Sequence, residues 1–408
     1  MIRVSPTELN LAAALGRLRR RPAPTSGSAN PLRFHHLEYD GTHLTFSSTD
    51  FRVTLQSRLN VDGAGAPWDC RVPIANFEAF AATAEGGKLT LNPRSHRCVR
   101  AEKMSAASDD DHGREFGFAY PLFRHPDPNP YRIAELVGET PPVPLSRVVL
   151  RKALAFVAPS QGGGESDSRL DTCTLAAGGD VVAHSGRVFF RSALSPLPFD
   201  ASLPGPDAAR VGAWLALLEG LPAAEVLLSR GQDPLGRTYF QFRTPDAAHT
   251  IRVAAAPRAV PYEFVHQVRD EPAAVSGTVA GDQLYKVASF FHQFQGHPVE
   301  LRFAEAETGW QMSLKTTGDC PPGWGVLALS DCQIPDGRVT RQPLLVSPAH
   351  LRHGLVRHRT GRLHLTYRPK SRTITFTDDV PAPRRGPAGN QSFVRVAPVT
   401  VLSATSCT

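Results

Sequence analysis

Apolar residues recur along this chain with two periods, and the two alternate. Helical spacing comes first at Thr7 to Arg20, where Leu11, Leu15 and Leu18 fall at i, i+4 and i+7 and Pro22, Pro24 and Gly27 end the run. A second helix is predicted over 74–84, led by Pro73 and stopped by Gly86. A third runs from Ser146 to Val157, with Val149, Ala153, Phe156 and Val157 as its buried arc. A fourth lies in PGPDAARVGAWLALLEGL (204–221). A fifth covers Asp282 to Phe294, with Leu284, Val287, Ala288, Phe291 and Phe294 in a wide arc and Phe290 at its edge. The sixth opens with Ser347 as cap and Pro348 in the first turn, and puts Leu351 and Leu355 on one face.

Between the helices the period is two. Strands are predicted at Leu32–Tyr39, His43–Ser47 and Phe51–Leu59, the first two joined by an Asp40-Gly41 turn. Further strands fall at Leu170–Ala176, Val181–His184 and Val188–Ala193, in EVLLSR (225–230) and RTYFQFR (237–243), and at Ile251–Ala255. Others are Phe116–Pro121, Val299–Phe303, Gln311–Lys315, Val326–Ser330, and a last hairpin marked by Leu363, Leu365, Tyr367, Ile374 and Phe376.

One unit recurs. A Pro-led helix, a glycine stop and a hairpin follow one another in 72–102, 204–242 and 346–380, spaced by roughly 130 residues. Each third of the chain therefore reads helix, strands, helix, strands. The fold class is α+β, built from three repeated domains at 1–140, 141–268 and 269–408. HPDPNPYRIAELVGETPPVP (125–144) and PRAVPYEFVHQVRDEP (257–272) read as the linkers.

Composition adds bounds. The chain of 408 residues is 41% hydrophobic, enough for several cores, and its 36 prolines and 33 glycines suit many short strands and turns. No apolar run reaches membrane-spanning length, and MIRVSPTELN lacks the apolar segment of a signal peptide, so a cytoplasmic location with no membrane partner is expected. The six cysteines contain no CxxC pair, which argues against a zinc site or a disulfide framework. The net charge is +7. Its positions matter more than its size: Arg17, Arg20, Arg21, Arg147, Arg151, Lys152, Lys286, His353 and Arg357 are placed by helical spacing away from the faces that must bury. A solvated helix face accounts equally well for each of them singly; only the recurrence points to an anionic partner.

Catalytic signatures are missing from the sequence. There is no GxSxG, P-loop, strand-borne GxGxxG or HExxH. Asp109-Asp110-Asp111-His112 in the polar stretch Ser105 to Glu115 has the residue types of a hard-cation site, and a metal-dependent hydrolase or nuclease built on it is the alternative reading; a solvated loop at a hairpin tip accounts for it as well. Of His350, His353 and His358, only the first two share a helical face, without a carboxylate. His184 next to Ser185 has no third partner nearby in sequence. No enzyme, metal or cofactor is expected.

With the repeats in place, the chain resembles the bacterial DNA polymerase III beta subunit, the sliding clamp, as a divergent member. The resemblance rests on LEYDGTHLTFSSTDFRVTLQSRL (37–59), a turned hairpin followed by a Thr-Asp pair before a strand; on Val72-Pro73 before a helix ending Glu85-Gly86; and on VVAHSGRVFFRSALSPLP (181–198), with its Gly-Arg-aliphatic motif. It implies a head-to-tail homodimeric ring around double-stranded DNA, with helices inside and antiparallel sheets outside, serving processive synthesis. The cationic helix residues named above would then contact phosphates without sequence preference. The resemblance also implies a pocket for DNA polymerase and clamp-loader peptides, carried onto Arg187, Val188, Pro261, Pro398 and Val399. The usual Thr-Asp-Gly-His-Arg-Leu of that pocket reads Ala183-His184-Ser185-Gly186-Arg187-Val188 here, and the usual Met-Pro-Met-Arg-Leu end survives as Ala397-Pro398-Val399 with a tail to Thr408. Those departures leave open a clamp-like paralogue with another DNA-associated partner role. Phe290, Phe291 and Phe294 are the residues expected at the dimer interface, with the core of their own domain as the competing place for Phe291 and Phe294.

Overall fold

The structure is a computed structural model. It describes residues 2–19, 33–63, 65–74, 89–94, 102–109, 115–122, 136–157, 172–185, 188–257, 263–293, 297–317, 322–334, 343–358, 361–378, 390–395 and 397–398. The first third holds β1 (Ile2–Val4), α1 (Pro6–Gly16), β2 (Phe34–Tyr39), β3 (His43–Thr49), β4 (Val53–Asp62), β5 (Trp68–Pro73), β6 (Leu89–Arg94), β7 (Glu102–Asp109) and β8 (Glu115–Leu122). The second holds β9 (Val143–Ser146), α2 (Arg147–Val157), β10 (Thr172–Ala176), β11 (Asp180–Ser185), β12 (Val188–Ala193), β13 (Ala201–Pro204), α3 (Gly205–Leu217), β14 (Glu225–Gln232), β15 (Thr238–Arg243) and β16 (His249–Ala254). After α4 (Glu263–Asp270) come β17 (Val275–Ala280), α5 (Gly281–His292), β18 (Val299–Ala306), β19 (Gly309–Thr316), β20 (Trp324–Ala328), β21 (Ser330–Gln333), β22 (Leu344–Val346), α6 (Pro348–Leu355), β23 (Arg362–Arg368), β24 (Thr373–Asp378), β25 (Gln391–Arg395) and β26 (Ala397–Pro398).

The elements repeat, and so do their pairings. The lead strand of each third pairs with a later strand in the same way: β1 with β6, β9 with β14, β17 with β23. The middle strands follow one scheme, β2 between β3 and β5, β10 between β11 and β13, β18 between β19 and β22. The helix predicted over 74–84 has only Ile74 among the described residues.

Strands also pair across the thirds, and two compact units result. The first unit comprises 1–151 and 209–255. Its twelve-stranded sheet runs β8-β7-β6-β1-β4-β16-β15-β14-β9, with β3, β2 and β5 branching from β4. The junction is β4 on β16, where Val53 faces Val253 and Leu55 faces Ile251, all four fully or almost fully buried. His249 faces Ser57 in the same ladder, and its Nδ1 lies 3.0 Å from the Ser57 hydroxyl. One core of this unit gathers Ile2, Val4, Leu9, Leu37, Tyr39, Phe46 and Leu59. The second unit comprises 152–208 and 256–408. It carries a nine-stranded sheet, β13-β10-β11-β12-β25-β24-β23-β17-β21, and a five-stranded one, β20-β19-β18-β22-β26. Its junction is β12 on β25, Val188 to Val394 through Arg191 to Gln391.

Several helices bury a face other than the one their spacing suggested. In α1 the buried residues are Leu9, Ala12, Ala13, Leu15 and Gly16, while Leu11 is half-buried. Small residues bring this helix onto the sheet: a Cβ on Gly16 would lie 2.9 Å from both Phe46 Cε1 and the Ser48 hydroxyl. In α2 the buried arc is Leu150, Ala153, Leu154, Phe156 and Val157, and Val149 is exposed beside Val148. The expected second linker contains α4, whose Val265 and Val268 pack with Val182, Phe189 and Phe393. The expected loop from Ser105 begins as strand, since β7 continues to Asp109 and pairs it with Glu115. None of the described helices is long and apolar enough to cross a membrane.

Two tests follow from this packing. A Cβ on Gly281 would lie 2.5 Å from the His358 carbonyl oxygen, a backbone atom that cannot swing away. Gly281→Ala is expected to cost about 1–3 kcal/mol, read as a lower denaturant midpoint at unchanged slope. Burial pushes the His249 imidazole below its usual value, with Asp246 opposing. The unfolded chain then binds a proton that the folded chain resists, so stability falls as the pH drops below about 6.5. His249→Asn should remove that part of the pH dependence in urea titrations; an unchanged slope would refute the assignment.

Candidate nucleic-acid interface

The cationic residues divide into those committed to the fold and those facing solvent. Arg147 belongs to the first group, which corrects the expectation that it faces DNA. It is buried; its Nη1 donates to the Leu218 carbonyl and its Nη2 to those of Glu219 and Leu221 at 3.3 and 3.2 Å. These carbonyls end α3 and the 3-10 turn Leu218–Gly220 that follows, so the guanidinium caps a helix C-terminus. His353 is the second correction. It is half-buried, with its ring 5.6 Å from that of Phe190 and its Nε2 shut off from solvent. An imidazole so placed is aromatic packing rather than a surface cation.

The others keep outward positions. Arg17 is exposed at the C-cap of α1, and Lys152 is exposed on α2. Arg151 is half-buried and ion-paired to Glu219 at 2.6 Å. Lys286 is exposed with Asp282 one turn earlier at 3.3 Å, and Arg357 is exposed just past α6. Such surface pairs cost little to break, so Arg151 and Lys286 can exchange their carboxylates for phosphate oxygens. Arg20 and Arg21 lie outside the described residues. Arg210 on α3 is consumed within the first unit by an ion pair to the buried Asp50 at 2.9 Å, a partner 160 positions away that spacing could not reveal.

The aromatic expectations also divide. Phe291 is fully buried and belongs to its own core, which corrects its place at an interface. Phe290 is 44% exposed and meets Phe291 edge-on with ring centroids 5.3 Å apart; Phe294 lies outside the described residues. The sequence reading missed the exposed apolar residues of β20. Trp324 is 76% exposed and Val326 45% exposed on β20. Gly323 and Gly325 give the helix room against this strand: a Cβ at Gly323 would lie 3.4 Å from Phe290 Cε1, and one at Gly325 3.1 Å from Val287 Cγ1. A tryptophan between two glycines was the available signal. β20 ends its sheet, and β8 ends the sheet of the first unit.

Of the expected peptide pocket, Val188 is fully buried; its Cγ1 would lie 3.8 Å from a Cβ on Gly354 of α6. It supports that helix and offers no surface to a ligand, a further correction. Pro398 stands in β26 opposite Leu344. Arg187, Pro261 and Val399 lie outside the described residues. Beside α4, within the second unit, a cavity of about 530 Å³ is lined by Phe264, Gln267, Val268, Pro272 and Lys370.

The candidate metal and catalytic groups do not assemble among the described residues. Asp109 ends β7, while Asp110, Asp111 and His112 lie outside them. No group of three or more His, Cys, Asp or Glu is positioned to hold a metal there. His358 is buried past the end of α6, with Nδ1 2.6 Å from Asp378 and its ring edge-on to Phe156. His184 stacks on Phe189.

No protein-family model and no curated protein matches the chain. Solved structures do match over nearly its whole length. The beta subunit of the DNA polymerase of Streptococcus pyogenes is 13% identical, covers 97% of this chain and 99% of its own, and superposes with a TM-score of 0.72. The DNA polymerase III beta subunits of Pseudomonas aeruginosa and Thermotoga maritima are each 12% identical with the same coverage, at TM-scores of 0.71 and 0.70. The fold is therefore that of the DNA polymerase III beta subunits, three repeated α+β clamp domains with antiparallel sheets.

Arg147 separates a structural cation from a surface one. Arg147→Ala strands buried carbonyls and should lower stability by about 1–3 kcal/mol in urea unfolding, whereas Arg357→Ala should leave it within about 0.5 kcal/mol.

Proposed function

We propose that this protein is a sliding clamp. Two copies close head to tail around double-stranded DNA and hold a polymerase and other partners on it. Its domains are 1–140, 141–268 and 269–408, and no catalytic step, metal or cofactor is assigned to it. One observation carries the reading. The fourth strand of the first repeat, β4, pairs with β16, which ends the run β9-β14-β15-β16 of the second; the fourth strand of the second, β12, pairs with β25, which ends the run β17-β23-β24-β25 of the third. By that rule β20, fourth in the third repeat, calls for the last strand of the first repeat, β8, and both end their sheets. A second copy supplies the pairing and satisfies both edges, whose backbone groups would otherwise invite uncontrolled association. Trp324 and Val326 are exposed on that edge strand and supply apolar surface for such a contact, and Phe290, exposed on α5 on the other side of the strand, adds to it.

DNA is held by enclosure and by weak, sequence-independent contact with phosphates. Arg17, Lys152, Lys286 and Arg357, all exposed, and half-buried Arg151 are assigned to it, and Arg20 and Arg21 join them in the proposal. Partner peptides are assigned to the cavity beside α4, where Phe264, Val268 and Pro272 form an apolar wall and Gln267 and Lys370 supply polar anchors. Arg187, Pro261, Pro398 and Val399 stay in the proposal as partner-peptide residues.

The ring is tested by mass and by topology. At micromolar concentration, light scattering should give two chains per particle. After loading, the protein should stay on circular DNA and leave when the circle is cut. Phe290→Asp with Trp324→Asp should yield folded single chains and abolish retention, because each buried aromatic anchor is worth about 2 kcal/mol or more. A wild-type protein that is strictly single-chain would overturn the proposal.

A further inference from the structure

On the first unit, the side of the sheet opposite its core is a polar cleft of about 540 Å³. It crosses four neighbouring strands, β3, β4, β16 and β15. The registers place Thr250 opposite both Gln56 and Arg243, and Arg252 opposite Gln241. Alternation sends these side chains away from Leu55, Ile251, Val253 and Phe242, which fill the core. The segment bearing Leu136 and Glu139 walls one side.

The cleft is built rather than incidental. Arg252, Gln241 and Thr250 are each nine-tenths or more buried although they lie on the polar side. Arg252 donates to Gln241 Oε1 from Nε and from Nη2, at 3.3 and 2.9 Å. Burial depresses this guanidinium to about 10 against the pull of Glu139, Tyr239 and Asp233. A cation desolvated to that degree gains from an anion more than a surface arginine does. Three guanidiniums, Arg58, Arg243 and Arg252, line the cleft against two carboxylates, Asp40 and Glu139. Asp40 accepts the backbone N–H groups of Thr42 and His43 and the Thr42 hydroxyl, which hold its carboxyl well below the ordinary range, so it stays charged.

We infer that this cleft binds a single carboxylate presented on an extended peptide. The balance of three cations and two anions is +1, which one carboxylate neutralises and a doubly charged phosphate would overshoot. The guanidinium forks match a carboxylate in two-point hydrogen bonding. The amides of Gln56 and Gln241 and the hydroxyls of Thr45 and Thr250 offer the donors and acceptors that a peptide backbone needs across a strand face. The cavity lies within the size range of short-peptide and small-ligand sites. Nothing in this inference requires the ring.

The test uses the full chain and three probes in calorimetric titration: an acetylated, amidated hexapeptide with one central Glu, the same peptide with Gln, and inorganic phosphate. The Glu peptide should bind, at millimolar affinity or better, and the Gln peptide and phosphate should not compete. Arg243→Gln and Arg252→Gln should each weaken the Glu peptide by roughly tenfold. Arg243 is only half-buried and its variant should fold even where the Arg252 variant does not. Equal binding of the two peptides, tighter binding of phosphate, no binding of any probe, or unchanged affinity in Arg243→Gln would each overturn it.

Discussion

Backbone pairing between successive repeats is the constraint on which the rest of the structure rests. β4 takes β16 along five residue pairs and β12 takes β25 along four. Every such pair satisfies main-chain donors and acceptors that burial would otherwise strand. The compact units consequently join parts of adjacent thirds instead of coinciding with them. Among the described residues β20 and β8 stand at the ends of their sheets. A ladder that runs out at an exposed tryptophan is a different object from an edge blunted by lysine or proline.

The arginines show how formal charge misleads when read without partners. Arg191 meets Asp180 at 2.6 Å with both side chains almost fully buried, and reaches Gln391 across the β12–β25 junction. Arg210 meets Asp50, and Arg147 caps α3. Removing one member of such a set leaves an uncompensated buried group, so these side chains are fixed by the fold and unavailable to an outside anion. The cations left at the surface are held, where paired, by exposed ion pairs such as Arg151–Glu219 and Lys286–Asp282. That distribution suits weak contact with a phosphate backbone and poorly suits a tight, specific nucleic-acid site.

Periodicity made most strands legible. The Asp40-Gly41 hairpin, the three-strand runs and the last hairpin lie within a few residues of their predicted places. The α5 arc of Leu284, Ala288 and Phe291 was readable because large apolar residues mark one face without ambiguity. α1 was not, because its contact face uses Ala12, Ala13 and Gly16, whose smallness is the reason they pack closely and also the reason a hydrophobicity pattern undervalues them. α4 hid between Pro261 and Pro272, where only Val265 and Val268 announce a face. The site residues were less legible than the fold. A helix face opposite the core is visible in a sequence, but a capping partner 71 positions away, such as Leu218 for Arg147, is not.

The same physics explains a whole-length structural match at 12–13% identity with no family-model match. A ladder across repeats depends on backbone geometry and asks of its side chains only that one face be apolar. Val53, Leu55, Ile251 and Val253 meet that demand, and other branched residues would meet it equally. Identity at those positions is therefore free to drift while register is not, because a slip of one residue would turn the core face outward. The opposite face is under no such demand, and there the chain has placed Arg252, Arg243 and Gln241. There Arg252 and Gln241 satisfy each other across the β15–β16 pair, so polar groups are buried on that face without the apolar pattern that fixes the core.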